Sequence, residues 1–226
     1  MKDMKRYAIF YAPPEGGFSK AAASWLGWDA ACGIAVPQPN VAGLDHAALT
    51  AEPRKYGFHG TLKPPFRLAR GASPAALSNA VAALAASQAP VMAGALDLRR
   101  LGGFLALVPD EPTDGIAALA AKVVETLDPL RAPITDAEIA RRRPERLTLR
   151  QRALLDRYGY PFVMEEFRFH LTLTGRLEGN FPAITKAAEA WFKPHIGGPF
   201  QIADICLFGE DEAGMFHLLA RHALMG

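Results

Sequence analysis

The sequence predicts an α+β fold in two related halves, each built from antiparallel strands with flanking helices. Three observations predict it. Alternating stretches and stretches of helical period are interspersed without βαβαβ regularity, and no Gly-rich phosphate loop is present. A motif recurs at half the chain length: "YGFHGTLKP" at 56–64 aligns without gaps on "FRFHLTLTG" at 167–175. No low-complexity linker divides the 226 residues, so a single two-lobed domain over 1–226 is expected.

The elements follow in order. Residues 5–12 read as a strand stopped by Pro13-Pro14, and Ser19 as the cap of a short helix reaching about Trp28. Residues 33–53 are rich in Pro and Gly and read mostly as loop. A strand at about 55–63 is expected to end at Pro64-Pro65. Ser73 before Pro74 marks a helix start, since proline at the first helical position loses no needed N–H. Strands are expected at 91–99 and 103–109 around Gly102-Gly103, then a helix opened by Thr113. A helical insertion at about 131–158 carries Arg141, Arg142, Arg143, Arg146, Arg150, Arg152 and Arg157. Within it Thr135 with Glu138 forms a capping-box pattern, Pro144 stops the first helix, and a second runs from Thr148 to Gly159. Asn180 and Pro182 introduce a helix to about Phe192, and strands at about 199–208 and 215–222 close the chain.

Composition excludes several classes. Half of the residues are hydrophobic, enough for a substantial core, and the net charge of +2 selects no polyanionic partner globally. Cys32 and Cys206 form no disulfide framework or C-x-x-C, which fits a reducing, cytoplasmic setting. The apolar run after the N-terminal charges is too short for a signal segment, and no stretch approaches the ~18 apolar residues of a membrane span.

The repeated motif carries the chemistry. Successive side chains of a strand alternate between faces, so His59 shares one face with Thr61 and Lys63. Likewise Glu166, Arg168, His170, Thr172 and Thr174 share one face, while Phe167, Phe169, Leu171 and Leu173 face the core. A lone His on a strand is usually a hydrogen-bonded structural residue, and Thr favours strands for packing reasons. Two aligned copies change the balance, because packing requires an apolar match but not the same His-x-Thr on the polar face. His46, His195, His217 and His222 lack this context. No metal site is expected: zinc takes three or four ligands from His, Cys, Asp or Glu, and threonine is a poor one. A nucleophilic triad has no G-x-S-x-G to stand on.

"FHGTL" and "FHLTL" together resemble the paired H-x-T/S signature of the two-histidine (2H) phosphoesterase superfamily. The longer stretches "YGFHGTLKPPF" and "EEFRFHLTLTGRL" are similar to a bacterial branch labelled as phosphonate-metabolism proteins. The resemblance covers the whole chain. It implies two lobes of antiparallel sheet, one motif strand from each lining a cleft, and a metal-independent, cofactor-free opening of a small cyclic phosphodiester. A ribose cyclic phosphate of phosphonate metabolism is the implied substrate. The catalytic pair would be His59 and His170, with one imidazole neutral and one protonated, both states being accessible near an ordinary pKa of ~6.5. Thr61, Thr172, Lys63 and Arg168 would bind the phosphate.

The arginine-rich segment has two readings: a solvated helical face paired with Asp136, Glu138, Glu145 and Asp156, or a basic lid that recognises a second phosphate or a nucleotide. On the second reading Arg142, Arg143 and Arg146 bind substrate and Tyr158 and Tyr160 stack on a base or sugar; Tyr56 is a further substrate-binding candidate. The expected partner is a small phosphorylated substrate. RNA ends bearing a 2′,3′-cyclic phosphate, processed by hydrolysis or ligation, are the alternative, and a non-catalytic nucleotide-binding module is the third reading.

Overall fold

The computed structural model describes residues 3–179 and 181–226. In chain order its elements are β1 (Arg6–Tyr11), α1 (Gly17–Leu26), β2 (Trp28–Asp29), β3 (Ile34–Ala35), α2 (His46–Leu49), α3 (Ala51–Arg54), β4 (Gly60–Phe66), α4 (Pro74–Ala86), β5 (Val91–Ala93), β6 (Leu96–Leu101), β7 (Phe104–Pro109), α5 (Asp114–Leu127), α6 (Asp136–Arg141), α7 (Leu149–Tyr158), β8 (Leu171–Thr172), α8 (Phe181–Phe192), β9 (Phe200–Ile202), β10 (Asp204–Glu210) and β11 (Phe216–Ala223). Short 3-10 turns lie at 128–130, 144–146 and 164–166.

Seven strands form one antiparallel sheet in the order β11-β10-β1-β4-β8-β7-β6. The duplication is visible in the connectivity. The run β1-α1-β4-α4-β5-β6 is repeated as β7-α5-β8-α8-β9-β10. The halves exchange strands reciprocally: β6 of the first pairs with β7 of the second, β10 of the second pairs with β1, and β5 pairs with β9 in a small separate sheet. The two motif strands meet in the middle. They lie side by side rather than across a gap, joined where Gly60 pairs with Leu171. Glycine is needed there because of close approach: a Cβ on Gly60 would lie 2.4 Å from the Phe169 ring.

The helices cover one face of the sheet. Tyr7, Ile9 and Tyr11 of β1, Leu105 and Leu107 of β7, and Phe167, Phe169, Leu171 and Leu173 pack there against Trp25, Val81, Leu119, Val123, Ile184 and Phe192. Each such side chain, fully buried, contributes roughly 1.5–3 kcal/mol. The opposite face carries a smaller aromatic cluster of Ala8, Phe10, Phe208 and Phe216, with Tyr56 packed against it. That open face holds the candidate site.

Several local expectations meet the structure directly. The Ser73 hydroxyl accepts from the Ala76 N–H with Pro74 in the first turn of α4. Thr135 and Glu138 form the reciprocal capping box of α6, and Thr148 starts α7, which Gly159 closes at φ 74°. Other expectations are corrected. Ser19 is not the N-cap of α1; it sits one turn in and bonds back to the Gly16 backbone. The 33–53 stretch contains α2, capped by Asp45, and α3. β4 does not end at the prolines but runs through them to Phe66, accommodated by register shifts against β1. The expectation that Asn180 starts α8 lies outside the described residues. No described helix is long and apolar enough to cross a membrane.

Candidate active site

The open face carries a cleft of about 540 Å³ above the junction of β4 and β8. His59, Thr61, His170 and Thr172 all line it. Gly60 pairs with Leu171, so the antiparallel register sets His59 opposite Thr172 and Thr61 opposite His170. The residues form two imidazole–hydroxyl rows related by the pseudo-twofold axis.

Both imidazoles are anchored in the same way. His59 Nδ1 lies 2.9 Å from the Gly57 carbonyl, and His170 Nδ1 lies 2.8 Å from the Arg168 carbonyl. A carbonyl can only accept, so each Nδ1 carries the hydrogen and each Nε2 is left for chemistry. The backbone therefore selects one tautomer at both positions, and the device is duplicated along with the motif.

Their surroundings differ. The His59 ring stacks on Phe10 at 4.0 Å between centroids and lies 5.7 Å from Tyr56. Burial lowers the pKa of His59 to about 4; the bond to Gly57 opposes the fall and the neighbouring His170 adds to it. His170 has Phe104 beside it at 5.8 Å. At neutral pH the His59 imidazole is therefore neutral.

Arg168 lines the cleft, but one of its nitrogens is committed to the carbonyls of Glu165 and Phe167. Tyr56, Arg142 and Tyr160 also line it, with the Arg142 guanidinium 4.5 Å above the Tyr160 ring. Arg143 and Arg146 are exposed and are not among the residues that line the cleft. Tyr158 is buried with Val124, Leu154 and Val163, where it fixes α7 to α5. The salt bridges of the segment also differ from expectation: Glu138 pairs with Arg67, and Arg150 pairs with Glu165.

Lys63 is the main correction. Strict alternation puts it beside His59 and Thr61, yet it points to the helix face, 2% exposed, with Nζ 3.3 Å from both the Val124 carbonyl and Asp128. The cause is an irregularity in β4. Phe10 pairs with Thr61 while the next β1 residue, Ile9, pairs with Lys63, so Leu62 is an extra residue that resets the alternation. Burial pushes the Lys63 ammonium down to about 8 against the opposing pull of Asp128.

Other cleft residues escape the sequence reading. Continuing the alternation past Gly175 adds Arg176 to the His170 row, a signal the sequence does contain. Arg6 and Phe10 line the cleft from β1, and Phe104 from β7, through pairings that local sequence does not encode. Glu52 is a further carboxylate of the cleft, beside Glu166, which the alternation places on the His170 face and which accepts from Gln151 at 2.9 Å. Thr174 borders the cleft but is structural, accepting from the Leu105 N–H. Among the described residues no group of three His, Cys, Asp or Glu is placed to hold a metal ion.

A family model described as "Protein of unknown function (DUF1045)" matches residues 61–217. The chain belongs to the DUF1045 family. Two similar proteins are both named ribose 1,5-bisphosphate phosphokinase PhnN. The one from Janthinobacterium sp. (strain Marseille) is 38% identical over 222 residues, covering 94% of this chain and 49% of the relative. The one from Laribacter hongkongensis (strain HLHK9) is 36% identical over 220 residues, covering 96% of this chain and 51% of the relative. This DUF1045 chain thus spans about half the length of the curated relatives it matches. Among solved structures, TT0787 of Thermus thermophilus is 14% identical with a TM-score of 0.49, covering 98% of each chain. E. coli LigT complexed with 3′-AMP is 13% identical with a TM-score of 0.48, covering 99% of this chain and 100% of that one.

Proposed function

We propose that this protein is a 2H-type phosphodiesterase that opens a small cyclic phosphodiester by acid–base catalysis between two histidines. The observation that carries the reading is the matched pair of imidazoles, each with Nδ1 tied to the carbonyl two residues before it and Nε2 available in one cleft. His59, neutral at pH 7, takes a proton from water as the water oxygen bonds to phosphorus. The P–O bond to one ring oxygen breaks, and protonated His170 gives its proton to that oxygen. One water is added, and the product is a phosphomonoester beside a free hydroxyl. Each proton transfer is typically worth 10²–10⁴-fold. Thr61 and Thr172 donate to the non-bridging oxygens, where charge develops.

The names of the relatives support a substrate class. A ribose 1,5-bisphosphate phosphokinase acts on a ribose bisphosphate, and the matched half of those proteins corresponds to a chain without a P-loop signature. Opening a 1,2-cyclic phosphate of ribose 5-phosphate at the O2 side yields ribose 1,5-bisphosphate. The product of this half would then be the substrate of the other. RNA ends with a 2′,3′-cyclic phosphate offer the same ring chemistry on a larger molecule. The test is a panel of cyclic phosphodiesters incubated with chelator and followed by phosphorus NMR. Turnover of a sugar cyclic phosphate, lost in H59A and H170A, supports the reading, and full-speed turnover by H170A sinks it.

A further inference from the structure

The cleft extends past the imidazoles toward the arginine-rich segment, and the groups gathered there differ from the catalytic rows. Arg142 reaches the cleft from the end of α6, stacked on Tyr160. Among the described residues its guanidinium has no hydrogen-bond or ion-pair partner, whereas Arg150 is neutralised by Glu165 and Arg67 by Glu138. Stacking holds the group in place without occupying its in-plane donors, the arrangement that suits bidentate recognition of a phosphate. Arg6 enters from β1. Its Nε and Nη2 are held by Glu210, the latter at 2.8 Å, and Nη1 has no protein acceptor among the described residues.

Two phenols complete the group. Tyr56 lies between His59 at 5.7 Å and Phe216 at 4.9 Å, so this end adjoins the catalytic row. The Tyr160 hydroxyl is raised by burial, with Arg142 opposing and Tyr56 adding to the rise. Arg6 is raised by its bond to Glu210, with Tyr56 contributing. All four groups line one cleft, and they are linked in series: Arg142 to Tyr160, Tyr160 to Tyr56, and Tyr56 to Arg6. Arg143 and Arg146, from the same segment, do not join them.

We propose that Arg142, with Arg6, Tyr56 and Tyr160, forms a second anion site that binds the phosphomonoester of the substrate. The site selects a small sugar carrying both a cyclic phosphodiester and a separate phosphate. This rests on the phosphodiesterase reading above and adds the feature that distinguishes a doubly phosphorylated sugar from a simple cyclic phosphate.

The test compares the ribose 1,2-cyclic phosphate with and without a 5-phosphate, and a short RNA ending in a 2′,3′-cyclic phosphate. Wild-type protein is expected to favour the 5-phosphorylated sugar through KM. In R142Q the ratio of kcat/KM between the two sugars should fall by about 10- to 100-fold, as for loss of one or two charged hydrogen bonds. R142K should keep part of the preference, because it retains charge without the planar fork. Y160F, which keeps the ring and loses the hydroxyl, should lower the ratio less, and R143Q should leave it at the wild-type value. Calorimetry with ribose 1,5-bisphosphate and ribose 1-phosphate gives a readout free of turnover: tighter binding of the bisphosphate, lost in R142Q, supports the site. An unchanged ratio in R142Q with both sugars turned over overturns the site and leaves the phosphodiesterase reading standing. A preference for the RNA that R142Q abolishes also overturns it, by assigning these groups to a polynucleotide backbone. If none of the three substrates turns over, the phosphodiesterase reading fails, and equal binding of the two phosphates then removes the site as well.

Discussion

Lowering the pH separates the two histidines. An ordinary imidazole titrating near 6.5 is about three-quarters neutral at pH 7 and about one-tenth neutral at pH 5.5. If such a group were the base, kcat/KM would drop about eightfold between those values. Burial against Phe10 takes His59 down to about 4, so it stays almost wholly neutral at pH 5.5. The sign follows from desolvation, which disfavours the imidazolium and so preserves the base in acid. With His59 as the base, kcat/KM is therefore expected to show no acidic fall from this group between pH 7 and 5.5, its acidic limb lying near pH 4. The assay is the initial rate of ring opening at low substrate by phosphorus NMR. The substrate should lack a phosphomonoester, whose own ionisation near pH 6 would obscure the limb. A proton NMR titration of the His59 ring in H170Q checks the assignment directly. An eightfold loss by pH 5.5, or a His59 midpoint above 6, refutes both the burial argument and the choice of His59 as base.

H59A and H170A should each lower kcat by 10²- to 10⁴-fold, with the double variant losing far less than the product of the two, since they act in one step; single-turnover rates measure this. T61V and T172V should each cost about 10-fold or more in kcat/KM with the larger share in kcat, read from steady-state kinetics. G60A should destabilise the protein by roughly 1–3 kcal/mol in urea titration and reduce kcat, because its Cβ would meet Phe169 at 2.4 Å and force the motif strands apart. K63M tests the buried ammonium. A fall from 10.5 to about 8 means that the folded state sheds the Lys63 proton before the unfolded chain does, so wild-type stability should gain up to about 3 kcal/mol relative to K63M between pH 7.5 and 10.5. Denaturant titration of both proteins across that range checks it, and a constant difference would contradict the burial.

What the sequence made legible was mostly local. The caps at Ser73, Thr135 and Thr148 are set by side-chain chemistry within one turn. The polar row of His170 and Thr172 needs only the period-2 rule, and the same rule extended by one step reaches Arg176. Lys63 defeated that rule because the extra residue at Leu62 is a property of the β1–β4 pairing, set by how Ile9 and Phe10 seat against β4. Tyr158 and Tyr160, two residues apart, go to different places. Tyr158 lies on the buried side of α7, while Tyr160 lies beyond Gly159, whose left-handed turn redirects the chain toward the cleft. Arg142 could not be told from Arg143 by composition. Arg143 adopts φ 49°, and the turn that begins there carries the rest of the run away from the cleft.

Duplication explains why two groups of the same chemistry stand in one cleft, and on the proposed mechanism one of them gives a proton while the other takes one. Proton transfer in opposite directions needs one imidazole neutral and the other charged at the same pH. The backbone supplies the symmetric part, since both Nδ1 atoms are tied to the carbonyl two residues earlier and both Nε2 atoms are left for the substrate. The asymmetry comes from neighbours that the halves do not share. Phe10 stacks on His59 at 4.0 Å, whereas the aromatic ring beside His170 is Phe104, at 5.8 Å. Phe10 belongs to a cluster with Phe208 and Phe216 on β10 and β11, and among the described residues no strand follows β6 in the sheet to match β11. On the proposed mechanism the extra closing strand of one half is what suits His59 to the role of base. It holds the Phe10 cluster against His59, whose burial keeps that imidazole neutral at pH 7.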